Sequence, residues 1–278
     1  MDISNIVGLE KPLVLLLQSL HDGCSALFAP LMNHWQESLE RKSLEKKNVL
    51  ELEQSLKLAC VEDLKDSIHT TRDRREIQNI VSIYTTALKE LKNLQDTSVP
   101  EVKSIDPDWS ARFYDYAKDC SNEEIQILWA KILAGECCGK EYAKRTLWTL
   151  HNIETIEAKI LVEIAPMLLD NQMIPLTIYD HQGIIGYNKI LSLQASGCLN
   201  SSDCSLEFEN GTAIPLVGFK IEWDANMPIL KFDGICLSAS GRQLIGLIEN
   251  ISPNKVFIEH MKKYVENEFH GMVKILPN

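Results

Sequence analysis

Six carboxylates crowd one short stretch of this 278-residue chain: Asp106, Asp108, Asp115, Asp119, Glu123 and Glu124. Paired carboxylates carry out general acid–base chemistry when burial separates their pKa values. Asp115 and Asp119 stand one helical turn apart on the polar side of a Trp109–Phe113 stripe, so a solvated helix face is the simpler account of them. Glu124 lies three residues after Ser121, the spacing of a capping box, which gives it a structural use. Metal chemistry has less to build on. The histidines (His21, His34, His69, His151, His181, His260 and His270) are dispersed, with no HExxH and none at ligand spacing to a cysteine. The eight cysteines form no CxxC pair; adjacency points Cys137 and Cys138 apart, while Cys198 and Cys204 share a neighbourhood but read as buried or loop thiols. The glycine-bearing GIIGYNK at 183–189 lacks both the Lys-Ser/Thr ending of a P-loop and the three-glycine dinucleotide spacing. No catalytic, cofactor-binding or metal-ligating residue is therefore expected, and the chain reads as a non-enzyme.

Charge bears on partners. The chain holds 28 basic and 39 acidic residues, net −11, and splits at residue 105 into parts of −3 and −8. Neither part carries the positive field that drives nonspecific nucleic-acid binding. The cysteines have no disulfide framework and no basic leader precedes them, which predicts free, mostly buried thiols in a reducing cytoplasm.

The elements that must position these groups begin with an apolar stretch at 11–32, too interrupted to span a bilayer, which is expected to pack on the protein or, in a sharper reading of 6–32, to lie on a membrane surface or dock a partner. Residues 35–68 are rich in Glu, Lys, Leu and Gln with a narrow apolar stripe, and Ile77, Ile80, Val81, Tyr84, Leu88 and Leu91 line a second one. Such long, narrow-striped helices commonly pair with a copy of themselves. After a linker at 95–108, residues 106–136 concentrate aromatics: Trp109, Phe113, Tyr116, Ala117 and Cys120 form one helical stripe, and Ile125, Leu128, Trp129, Ile132 and Leu133 form the next, which Gly135 is placed to end. Helices follow from near Lys144 and Thr155. In the last third a helix over 183–199 is closed by Gly197, and strands are expected at 205–208, 217–223 and 229–236, the first two joined through Asn210-Gly211. Helices open at Ser238 and near Pro253, and 272–276 is a final strand.

Two resemblances arise from these residues. The order of a helix ending in Gly197, strand, turn, strand and a helix opening with Leu237-Ser238 and Gly241 resembles a winged helix. The resemblance implies a recognition helix at 187–196 and basic side chains for phosphates, here Lys189, Lys220 and Lys231. The helix carries Lys189 alone, and the wing sets Lys220 and Lys231 against Glu207, Glu209, Glu222, Asp224 and Asp233, more acid than a DNA-binding wing tolerates. More broadly, GLEKPLVLLLQSLHDGCSALFAP, RREIQNIVSIYTTAL, the pattern DPDWxxRFxxxAxDxSxEEIQxLWAKILAGE and AKRTLWTLHNIETIEA resemble an uncharacterised bacterial domain-of-unknown-function family. Cys137-Cys138 depart from its expected proline- and glycine-containing loop, and Leu237-Ser238 stands where Leu-Thr is commoner. The resemblance implies architecture and a bacterial defence setting, and brings no catalytic residue.

The resulting expectation is a mainly α, α+β protein: an elongated helical region at 1–100, an aromatic-rich helical core at 101–170 built on Trp109, Phe113, Tyr116, Leu128, Trp129 and Ile132, and a winged-helix-like α+β domain at 171–278. Its expected role is interaction or regulation, through a homo-oligomer or a protein partner. A DNA-binding regulator is the second reading and a membrane-surface effector the third.

Overall fold

A computed structural model describes residues 71–94, 105–180, 183–209 and 213–278, together with Leu15, Leu16 and Ser19. The expected long helix at 35–68, most of 6–32 and of the linker, and the Asn210-Gly211 turn lie outside the described residues. Among the described residues, eight full α-helices and two small antiparallel sheets make an α+β fold, and the packing divides the chain into units at His151/Asn152. No described helix is long and apolar enough to cross a membrane.

In the first unit, α1 (Thr71–Leu94) packs on α2 (Pro107–Ala117) and most extensively on α3 (Glu123–Cys137), with α4 (Lys144–Asn152) following. Ile80, Ile83, Tyr84, Ala87 and Leu88 of α1 are buried, as are Leu15 and Leu16. The Ser19 hydroxyl lies 3.4 Å from that of Tyr84. The Phe113 ring is the hub: Trp109 stacks on it at 5.3 Å, while Trp129 and Tyr84 meet it edge-on at 5.3 and 6.3 Å. Such offset and edge-to-face pairs add to the area that aromatics bury.

The α2–α3 corner is closed by buried amides rather than by the expected caps. Asn79 Nδ2 donates to the Lys118 carbonyl at 2.7 Å and to Ser121 Oγ at 3.1 Å. Gln126 Nε2 donates to the Cys120 carbonyl at 2.7 Å and to Asn79 Oδ1 at 3.3 Å, and Ser82 Oγ donates to Gln126 Oε1. Carbonyls orphaned at a helix C-terminus thus find partners on neighbouring helices. The helix stops at Ala117, which takes Cys120 off the predicted stripe and Asp119 off the helix face it was expected to share with Asp115. Asn122, not Ser121, is the N-cap of α3, accepting from the Ile125 N–H at 3.1 Å, and Glu124 is simply an acid in the first turn. Nor does Gly135 end α3. It lies inside the helix because the Tyr142 ring covers it, 2.8 Å from where a Cβ would stand.

In the second unit, α5 (Thr155–Ile164) opens with a Glu154/Glu157 capping box and runs into a short 3-10 turn at Pro166. Next come β1 (Met173–Pro175), a 3-10 turn (Leu176–Ile178), and α6 (Tyr187–Ala195), shorter than the 183–199 expected. Gly197, at φ +80°, closes α6 as the sequence implied: its N–H reaches Gln194 O, and Cys198 N–H reaches Leu193 O. β2 (Leu199–Glu209), β3 (Ile214–Leu216), β4 (Phe219–Trp223), β5 (Ile229–Leu237), α7 (Ala239–Ile245), α8 (Lys255–Phe269) and β6 (Val273–Pro277) complete the chain.

The strands pair differently from the expected hairpin between 205–208 and 217–223. One sheet has the order β1-β5-β2 and the other β3-β4-β6, all antiparallel. The reason is visible in the β2/β5 register. It sets Ser205 against Asp233 and Glu207 against Lys231 on the exposed face, with Leu206 against Phe232 and Phe208 against Leu230 on the other. From Ser205 to Phe208 polar matches polar and apolar matches apolar, which is what specifies a register. The apolar face packs on α8, where Phe232 meets Phe269 at 6.0 Å and Tyr264 at 6.4 Å. The register also overturns the expectation of free thiols in this region. Cys204 stands opposite Gly234, two residues from Cys236 on the same face, and the two cysteines form a disulfide. Cys198, the partner considered from sequence, is a buried free thiol.

Candidate functional site

α6 is the element that the sequence proposed for contacting a nucleic acid, and the fold sets out its faces clearly. Ile190 and Leu193 are buried, turning Lys189, Leu191 and Tyr187 outward or sideways. The Lys189 ammonium lies 2.6 Å from both oxygens of Glu163 on α5, so its charge is matched within the unit. Lys220 is 2.6 Å from Glu222 on β4, and Lys231 stands opposite Glu207 in the ladder. The three lysines therefore lie on α6, on the β3-β4-β6 sheet and on the β1-β5-β2 sheet, each beside a carboxylate. Asn152–Asn278 as a whole carries 9 basic and 15 acidic residues, net −6.

What α6 presents instead is apolar. Tyr187 is 53% exposed and Leu191, one helical turn later, is 46% exposed. Beneath them, the Tyr187 ring stacks on Tyr179 at 6.2 Å, and the buried Tyr179 hydroxyl donates to Asp203 on β2 at 3.4 Å. Burial, then the Asp203 charge, pushes the Tyr179 hydroxyl well above the ordinary tyrosine range, so it stays a donor. This arrangement fixes the exposed ring over a rigid base. Periodicity alone could not single out Tyr187 and Leu191, because each reads equally well as core.

In the first unit, the aromatic residues behave as structure. Trp109, Phe113, Trp129 and Ile132 are buried; Tyr116 and Leu128 are only half-buried, and Tyr114 occupies the core position instead of Tyr116. Tyr116 stacks on His151 at 4.8 Å. Among the carboxylates, Asp106 caps α2 and meets Lys144 at 2.7 Å, which holds its carboxyl below the usual range. Asp115 is exposed 3.7 Å from Lys118. The carboxyl with altered chemistry is one that the sequence did not single out. Glu136 is set in the last turn of α3, where burial, reinforced by nearby Glu141 and Asp106, pushes its pKa up to about 7. Its Oε2 accepts the Tyr142 N–H at 2.8 Å, and the Tyr142 carbonyl accepts from Trp109 Nε1 at 2.8 Å. Burial also raises the Tyr142 hydroxyl to about 12. The signal was present in ILAGECC, where Glu136 is the one charge in an otherwise apolar or small run. A carboxyl tied to a loop amide holds that loop against the end of α3. Among the described residues, no three His, Cys, Asp or Glu side chains gather to hold a metal ion.

The model of a family described as "Protein of unknown function (DUF2806)" matches residues 66–262. Comparisons with curated proteins and with solved structures return no match.

Proposed function

We propose that this chain, which belongs to the DUF2806 family, is a non-enzymatic interaction protein whose second unit is a winged-helix-like module that docks a protein through α6. The order α5, β1, α6, β2, β5, α7, with the sheet order β1-β5-β2, supports the winged-helix reading, β3 and β4 being an insertion between the two wing strands. The observation that carries the functional reading is the composition of the α6 face: Lys189 is bound to Glu163, whereas Tyr187 and Leu191 stand exposed one turn apart. A rigid tyrosine beside an aliphatic side chain is the composition of a protein-contact hot spot, not of a phosphate reader. The expected self-association through residues 1–100 is a separate part of the same proposal.

The test is a comparison of the wild type with Leu191→Asp and Tyr187→Ala in partner capture by chemical cross-linking, alongside a duplex-DNA mobility assay at low salt. Docking through α6 predicts a specific cross-linked species lost in both variants, with no DNA shift. A salt-sensitive DNA shift weakened by Lys189→Ala, Lys220→Ala and Lys231→Ala would instead establish the DNA-binding reading.

A further inference from the structure

The β2/β5 ladder has a break at its base. Leu199 pairs with Leu237 and Asp203 with Ile235, so three residues of β2 (200–202) face a single residue of β5, Cys236. A break of this kind leaves backbone groups unpaired and bends the strand. β2 is also an edge strand of its sheet, held on one side only. The Cys204–Cys236 bond reaches diagonally across this gap, joining the first stretch of regular ladder to the residue of β5 that has no single partner in β2 and pairs with Met173 of β1 on its other side. On the α6 side the gap is bounded by the Gln194 amide, which donates to the Asn200 carbonyl at 2.9 Å. Both bonded cysteines are half-exposed, as is the free Cys120, whereas Cys137, Cys138 and Cys198 are buried.

We infer that Cys204–Cys236 is a redox-operated latch on the edge strand β2: oxidised, it holds the base of the β2/β5 ribbon closed; reduced, it lets residues 199–204 detach from β5. Half-exposed cysteines leave the bond open to thiol attack, as an exchangeable disulfide requires. A dithiol reductant breaks the S–S bond, its two thiol protons pass to Cys204 and Cys236, and the reductant leaves as its own disulfide. The reverse exchange with a low-molecular-weight disulfide restores the latch, so atoms and electrons balance in both directions. This inference does not depend on what α6 binds.

The experiment uses the full chain, equilibrated with either oxidised glutathione or dithiothreitol, with peptide mapping for the Cys204–Cys236 link and amide hydrogen exchange in each state. The latch predicts a linked peptide in the first buffer and its loss in the second. It also predicts exchange at 199–204 and 234–237 that speeds up by about tenfold or more on reduction, with 273–277 unchanged. The double variant Cys204→Ser, Cys236→Ser should exchange like the reduced protein in both buffers. Absence of the linked peptide at every thiol–disulfide ratio would overturn the proposal, as would equal exchange in the two states or a double variant that exchanges like the oxidised protein.

Discussion

The Ser238 hydroxyl donates to the carbonyl of Gly197 at 2.6 Å, bolting the start of α7 to the end of α6 at a sequence separation of 41. The same oxygen accepts the Gly241 N–H at 2.9 Å as the N-cap of α7, and Ser238 N–H donates to the Cys198 carbonyl. Gly241 is required for the approach itself, because a Cβ there would stand 2.0 Å from the Cys198 oxygen. The punctuation that made this region resemble a winged helix is thus one physical joint.

Ser238→Ala removes a cap and leaves a half-buried carbonyl short of a donor. Each loss is worth about 1 kcal/mol. Urea unfolding should therefore show a destabilisation of about 1–2 kcal/mol at an unchanged m-value, and Ser238→Thr should recover most of it.

Gly241→Ala should cost more than Ser238→Ala, since backbone has to move to admit the methyl group; overpacking of this kind costs about 1–3 kcal/mol or more. The contrasting glycine is Gly186, the N-cap of α6, which has extended backbone, no side-chain cap and nothing within 4 Å of a Cβ. Gly186→Ser supplies the missing cap and should stabilise by a few tenths of a kcal/mol up to about 1. Melting temperatures of the two variants should move in opposite directions.

Glu136 makes stability depend on pH. Its carboxyl holds a proton more tightly when folded, at about 7 against an ordinary 4.5, so the folded state is favoured below that window and loses stability as pH rises through it. The full shift corresponds to about 3 kcal/mol, which solvent access to the carboxyl reduces to about 1–2 kcal/mol. Glu136→Gln keeps an acceptor for the Tyr142 N–H without the charge. It should be more stable than wild type by that amount at pH 8 and equal to it at pH 4, as chemical denaturation at the two pH values will measure.

Leu191→Asp and Tyr187→Ala should separate docking from folding. Both side chains are about half exposed, so each change should alter unfolding free energy by about 0.5–1 kcal/mol or less. Truncating a docked aromatic anchor costs about 2 kcal/mol or more of binding, roughly a thirtyfold loss of affinity. Denaturation curves measured beside cross-linking yields distinguish the two effects.

Local signals were read well and distant ones poorly. Three- and four-residue spacing located α3 and α4, Gly197 marked the end of α6, and the alternation in FKIEW placed β4. The stripe of α2 was read one step out of phase: Trp109 and Phe113 admit either Tyr114 or Tyr116 as the next core residue. Burial of Trp109, Ser110, Phe113, Tyr114 and Ala117 gives a broad stripe that includes the former and leaves Tyr116 to stack on His151. Strand partners were out of reach for a different reason. Ile221 pairs with Ile214 nearby and with Ile275 across 54 residues, and nothing within β4 distinguishes these from a partner in β2. The disulfide was hidden in the same way, its cysteines adjacent only once the register of β2 and β5 is known. Glu136 escaped notice because a charge becomes chemically unusual through what covers it, and that cover comes from Tyr142 and its loop.

The make-up of the β3-β4-β6 sheet limits how this chain can be trimmed or shuffled. β3 and β4 lie in sequence between β2 and β5 of the other, three-stranded sheet, yet β4 takes one of its neighbours from the far end of the described chain. Excising the insert would leave Val273, Ile275 and the rest of β6 without hydrogen-bonding partners; removing β6 would strip the insert of one side of its central strand. The two segments are separate in sequence but form one hydrogen-bonded unit, so neither can be trimmed without stripping the other.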